Sequence, residues 1–167
     1  MTTLLVIICL IAVLGAAFVI VGRERSFEMM AGSADLGAVP IASLKQSKRT
    51  NHALACPPEH CTDRRPDIAS PIYALSVGEL RDKLKTQLDK EALLEPVGHT
   101  DNPLSDRYVQ RSYWFRFPDT IQIDYIPLGD NSSTIAIYSR SQLGRKDFGV
   151  NLARIQRWLG HIADAEE

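Results

Sequence analysis

From Leu4 to Val21 no side chain is charged, and apart from Cys9, Ala12, Gly15, Ala16 and Ala17 every position is Leu, Ile, Val or Phe. At about 1.5 Å per residue the run makes roughly 27 Å of helix, enough for the hydrocarbon core of a bilayer. Its strongly apolar side chains favour insertion by roughly 4–8 kcal/mol. The pattern predicts a single transmembrane helix within an anchor over residues 1–25. A retained anchor is favoured over a cleaved signal peptide, because Met1-Thr2-Thr3 lacks a basic side chain and Gly22-Arg23-Glu24-Arg25 is no small-residue exit. Residues 26–55 show no sustained period, and Ala31-Gly32-Ser33-Ala34-Asp35-Leu36-Gly37 and Pro40 suit a flexible tether.

From Cys56 onward the pattern tightens, so residues 56–167 are expected to form the folded domain. Prolines 57, 58, 66 and 71 lead into a short apolar strand at Ile72–Leu75. Ser76-Val77-Gly78-Glu79 reads as a capping box, and Val77, Leu80, Leu84 and Leu88 then form the apolar stripe of an amphipathic helix. A strand follows at Leu93–Gly98. Alternation over Arg107–Phe117 places Arg111, Tyr113, Phe115 and Phe117 on one face, with Tyr108, Gln110, Ser112 and Trp114 on the other. Pro118-Asp119 and Gly129-Asp130-Asn131-Ser132 read as turns around further strands. A last helix from about Gly149 carries Leu152, Ile155, Trp158, Leu159 and Ile162 on one face. The expected fold is α+β: a curved antiparallel sheet with two helices on one face, in the order β-α-β-β-β-β-α, preceded by the transmembrane helix.

Composition narrows the function classes. With 19 Lys+Arg against 20 Asp+Glu in 167 residues, the chain has no basic footprint for nucleic acid. Three cysteines are too few for a disulfide scaffold. Cys56 and Cys61 enclose a six-residue loop with two prolines, which suits a disulfide; free thiols, or a zinc site with His52 and His60, are the alternatives. Neither a serine nucleophile elbow nor a phosphate-binding glycine loop occurs. His99 with Asp101 or Asp106 is the remaining hydrolytic pairing.

The run from Tyr138 to Arg154 concentrates the unusual residues: Ser139-Arg140-Ser141, Gly144, Asp147, Gly149-Val150-Asn151 and Arg154. It resembles the closing signature S-R-S-x-x-G-x-x-D-x-G-V-N-x-x-R of the bacterial and plastid domain-of-unknown-function family 1499. Arg111-Ser112-Tyr113-Trp114-Phe115-Arg116-Phe117-Pro118-Asp119 is similar to that family's S-x-x-F-R-F-x-D segment, and Cys56-Pro57-Pro58-Glu59-His60-Cys61 to its opening C-P-x-x-x-C. His60 stands where the family usually has Asn. The resemblance implies a domain type and frequent export or membrane attachment, and names no reaction.

Arg140, Asp147, Asn151 and Arg154 are therefore expected to converge with Ser139 and Ser141, and Arg111, Arg116 and Asp119 either join them or flank a hairpin. The structural reading is an Arg140–Asp147 pair that locks the loop and seats the last helix. The functional reading is that Arg140, Arg154 and free N–H groups hold an anionic ligand. The residues point to a membrane-tethered, non-enzymatic module without metal or other cofactor. It would bind an envelope protein partner or an anionic or lipid-like ligand; the alternative is a small envelope hydrolase. Arg23 and Arg25 favour a cytoplasmic domain by the positive-inside rule. The cysteine spacing and the family's frequent export favour the periplasmic face of the inner membrane.

Overall fold

The computed structural model describes residues 2–98 and 101–163. Two helices open the chain, α1 over Thr2–Val21 and α2 over Arg23–Ala31, separated by Gly22 with φ 86°. Strands β1 (His52–Cys56) and β2 (Ile68–Ala69), helix α3 (Val77–Leu88), strands β3 (Leu94–Pro96), β4 (Ser105–Arg111), β5 (Pro118–Gly129) and β6 (Ser132–Ser141), and helix α4 (Val150–Ala163) follow. The six strands form one sheet in the order β2-β1-β6-β5-β4-β3. It is mixed, not purely antiparallel: β1 and β2 run parallel through Ala55–Ile68 and Cys56–Ala69, and the other neighbours are antiparallel.

The expectation of a transmembrane helix is corrected. Residues 2–21 are helical, but among the described residues no helix is long and apolar enough to cross a membrane.

The two amphipathic helices pack on one face of the sheet, each by the stripe its sequence shows. Leu80, Leu84 and Leu88 of α3 and Ile155, Trp158, Leu159 and Ile162 of α4 are buried against Tyr108, Ile121, Ile123, Tyr125, Ile135 and Ile137. The capping box at the head of α3 is closed, with Glu79 N donating to Ser76 Oγ and Ser76 N to Glu79 Oε2.

The opposite face of the sheet is covered by the segment expected to be a tether. Its backbone takes sheet side chains as partners: Leu36 N donates to Thr120 Oγ1, Val39 N to Gln122 Oε1, and Gln122 Nε2 to Val39 O. Ile41 is buried in a second, smaller core with Leu54, Ala136, Tyr138 and the Cys56–Cys61 disulfide. The segment's polar, aperiodic sequence reads as a tether because hydrogen bonds and the ion pairs of Glu28 with Arg111 and Asp35 with Arg107, more than a hydrophobic stripe, hold it.

Three strand boundaries also differ. His52–Cys56 is a strand that no alternation marks, because after His52 all four positions are buried and period two vanishes in a strand covered on both faces. At Ile72–Leu75 the backbone forms only an isolated bridge, Tyr73 to Ser133, Leu75 O accepts from Ser133 Oγ at 2.8 Å, and Ile72 is exposed. The strand expected over 107–117 ends at Arg111. The turn lies at 112–117, where Ser112 N donates to Phe117 O and Phe117 N to Ser112 Oγ, and Pro118 already begins β5.

Candidate functional site

Strand pleating divides the signature between two faces. On β6, Ser139 and Ser141 point toward α4, whereas Arg140 points to the other side. The expected Arg140–Asp147 pair therefore does not form. Arg140 Nη2 donates to the carbonyls of Leu36 and Gly37 at 3.1 and 2.8 Å, clamping the N-terminal segment. Beside it Arg107 forms a forked ion pair with Asp35 at 2.8–3.0 Å. Burial alone would raise the Asp35 carboxyl, but the Arg107 hydrogen bond and the Gly37 N–H hold it below the usual carboxylate range.

Arg111 lies on that same face, its guanidinium 2.9 Å from Glu28 and 3.6 Å from Glu24 of α2. Arg116 sits in the 112–117 turn at φ 58°, 3.7 Å from Glu24. Neither joins the signature. Asp119 does: the first residues of β5 bring it under α4, where it accepts from Arg154 Nη2 at 2.7 Å.

Arg154 is the centre of the helix-side cluster and is 5% exposed. Its Nη1 donates to Ser139 Oγ and Asn151 Oδ1, each at 2.7 Å, and its Nε to Gln110 Oε1 at 2.5 Å. Ser139 Oγ donates in turn to Asn151 Oδ1. Asn151, fully buried, directs its Nδ2 hydrogens to Ser141 Oγ, Asn51 O and Asp147 Oδ2. Asp147 caps α4, accepting from the backbone N–H groups of Gly149 at 3.1 Å and Asn151 at 2.9 Å. Gly149 turns into the helix at φ 85°, a conformation in which a Cβ is unfavourable.

Partial burial works against the Asp147 carboxylate, yet the donors from Asn151 and Gly149 outweigh it and hold its pKa below the ordinary value. Asp147→Ala is expected to lower stability by about 1–3 kcal/mol at neutral pH, through the lost cap and the amide left unpaired. Because the folded carboxyl is the stronger acid, this contribution is complete above the unfolded pKa and disappears as pH falls through the folded one. Thermal melts of both proteins from pH 7 down to pH 3 test both parts.

Two members of the cluster escape sequence reading. Gln110 is recognisable there only as a polar position on an alternating strand. Asn51 precedes an unmarked strand, and pins the signature loop by donating to Ser141 O and Gly144 O at 3.1 and 3.0 Å. No sequence signal singles it out.

Cys56 and Cys61 form a disulfide, so neither thiolate is available to the zinc set considered with His52 and His60. His52 Nδ1 lies 3.1 Å from Arg64, and burial followed by that positive charge lowers its pKa. The hydroxyls of Ser139 and Ser141 are bonded to Asn151 and Arg154, not to an imidazole. His99 lies outside the described residues.

Above the buried cluster a groove of about 310 Å³ opens between the 112–117 turn and the signature loop. Phe117, Leu143, Phe148 and Val150 form its apolar walls, and Asp119, Ser141 and Asp147 its polar floor. Phe148 is 96% exposed and left-handed at φ 56°, which is costly for a bulky side chain. It contributes almost no burial to offset that strain. Phe148→Gly is expected to stabilise the domain by about 0.5–1 kcal/mol, read as a rise in melting temperature.

None of the curated proteins matches the chain. The crystal structure of TTHA0849 from Thermus thermophilus is similar over 59% of this chain and 97% of its own. Its 13% identity and TM-score of 0.29 make that likeness too loose to argue from. The family model described as protein of unknown function (DUF1499) matches residues 43–162, from just before β1 almost to the end of α4, and the chain belongs to that family.

Proposed function

We propose that the domain is a non-enzymatic binding module of the cell envelope that docks a protein partner in the groove at the head of α4. The observation that carries this reading is Phe148: an aromatic side chain held in open solvent, on a strained backbone, at the mouth of an apolar-walled groove. Strain without burial is unfavourable for the isolated domain, and contact with a partner would offset it. The anionic-ligand reading loses support because Arg140 and Arg154 are engaged inside the fold, with Arg154 nearly out of reach of solvent. The hydrolase reading has no specific observation in its favour.

A photo-crosslinking amino acid in place of Phe148, introduced into the full chain in living cells, tests the proposal. One discrete cross-linked product is expected, and Leu143→Ser in the apolar lining of the same groove should abolish it without lowering the melting temperature. A protein that stays uncross-linked, or cross-links equally with Leu143→Ser, defeats the reading.

The Cys56–Cys61 disulfide supports a periplasmic placement of this module, since cytoplasmic reductants keep thiols reduced. With Cys9 replaced, alkylation of intact cells should find both remaining cysteines oxidised. A reduced pair, protected from impermeant reagent until lysis, would place the domain in the cytoplasm.

A further inference from the structure

The 112–117 turn presents Tyr113, Trp114 and Phe115 to solvent, at 71, 75 and 69% exposure. Tyr113 stacks edge-on against Trp114, and Phe115 against Phe117, so these rings pack chiefly on their own loop. The turn is nevertheless firmly placed. Arg23 Nη1 donates to Trp114 O at 2.9 Å, and buried Phe27 of α2 meets Phe117 at 5.8 Å between centroids.

Beneath the aromatic tip lies a cavity of about 370 Å³ lined by Gly22, Arg23, Glu24, Arg25 and Arg116. It is a cationic place. Arg23, Arg25, Arg111 and Arg116 stand against Glu24 and Glu28, and Glu24 is shared between Arg111 and Arg116 at 3.6 and 3.7 Å. Nη1 of Arg116 is shielded from solvent and has no hydrogen-bond partner among the described residues. Arg23 and Arg25 are exposed.

We infer that this end of the domain rests on an anionic phospholipid surface, with Arg23, Arg25 and Arg116 on headgroup phosphates and Tyr113, Trp114 and Phe115 in the interfacial layer. Amphipathic rings settle at headgroup depth, and the guanidinium fork matches a phosphate oxygen pair. An excess of positive charge beside exposed aromatic rings complements a bilayer that is negative outside and apolar within. A protein interface core is instead depleted of charge. The contact is made by the folded domain at the bilayer surface and needs no helix to cross it. It goes beyond the groove proposal and rests on other residues.

The chain reports on itself, because of its two tryptophans Trp158 is fully buried and Trp114 is exposed. The full chain is mixed with vesicles of phosphatidylglycerol and phosphatidylcholine, and tryptophan fluorescence is followed. The emission should shift to the blue, acrylamide quenching should fall several-fold, and lipids spin-labelled near the headgroup should quench more than deeply labelled ones. Pure phosphatidylcholine, or Arg25→Gln with Arg116→Gln, should reduce the protection several-fold. If the double variant does not fold, Arg25→Gln alone gives the same reading from an exposed site. Trp114 remaining as open to acrylamide on anionic vesicles as in buffer would overturn the inference. So would equal protection on the zwitterionic vesicles, or protection by inorganic phosphate alone, which would assign the cavity to a soluble anion.

Discussion

Arg154→Leu is expected to cost the fold about 3–5 kcal/mol, the range for breaking a buried ion pair by removing one member. The reason is what remains. Asp119 keeps its charge under α4 without a cation, its side chain only 13% exposed. Ser139 Oγ, Asn151 Oδ1 and Gln110 Oε1 each lose a donor in places that water hardly reaches. Buried acceptors left alone keep their desolvation cost with nothing to offset it. Leucine is close enough in size for the stem of the arginine that the loss is electrostatic more than steric. Arg154→Leu combined with Asp119→Leu should therefore be less damaging than Arg154→Leu alone, since no orphan charge remains. Urea unfolding of the single and double variants measures the coupling. A double variant as unstable as the sum of its parts would show that Arg154 acts through packing alone.

The signature is visible as a sequence motif, but its geometry is not. Ser139, Ser141, Asp147, Asn151 and Arg154 do assemble, because helix spacing brings Asn151 and Arg154 to one side of α4, Asp147 caps the first turn of that helix, and strand spacing turns Ser139 and Ser141 toward it. The same two-residue period sends Arg140 away, and counting along β6 separates it. Grouping residues by density in the sequence overrides the pleat. Arg140 instead shows why residues 34–37 are ordered: a sheet arginine and a threonine hold their carbonyls. Contacts between residues more than eighty positions apart leave no local pattern to read.

The helices are legible for the opposite reason. The stripes of α3 and α4 and the Ser76–Glu79 box are local facts, written at spacings of three and four. At 112–117 a local pattern misleads. Tyr113, Phe115 and Phe117 continue the alternation of β4 past its end, although Tyr113 and Phe115 face solvent at a hairpin tip. Alternation reports burial only when something covers the inner face, and here Tyr113 and Phe115 stay exposed although Phe27 of α2 meets Phe117. The aromatic residues that misplace the strand boundary are the same ones that make the tip a docking surface.

Trp158→Ala should be of similar severity to Arg154→Leu, at about 3–5 kcal/mol, because Trp158 is the largest side chain in the core and is completely buried. It also differs from the surrounding aliphatics in having a polar partner: Nε1 donates to Glu91 Oε1 at 2.9 Å. Glu91 additionally accepts from Arg157 and, through Gln110, connects to the Arg154 cluster. Partial burial would raise the Glu91 pKa, but the donors from Trp158, Arg157 and Gln110 hold it below the ordinary glutamate value. Trp158→Phe separates the two contributions, keeping most of the packing while removing one donor from a carboxylate. Its loss should be about 1.5–3 kcal/mol near neutral pH, the range for a hydrogen bond to a charged group. The sign of the pH dependence follows from the lowered pKa. Stabilisation by ionised Glu91 is complete above its unfolded pKa and is lost as pH falls through the lower folded value. The gap between wild type and Trp158→Phe should accordingly narrow from about pH 4 downward, while the gap to Trp158→Ala keeps its packing part. Denaturation series at pH 7 and pH 3 make the comparison; a Trp158→Phe gap unchanged between them would mean that the indole N–H contributes nothing through Glu91.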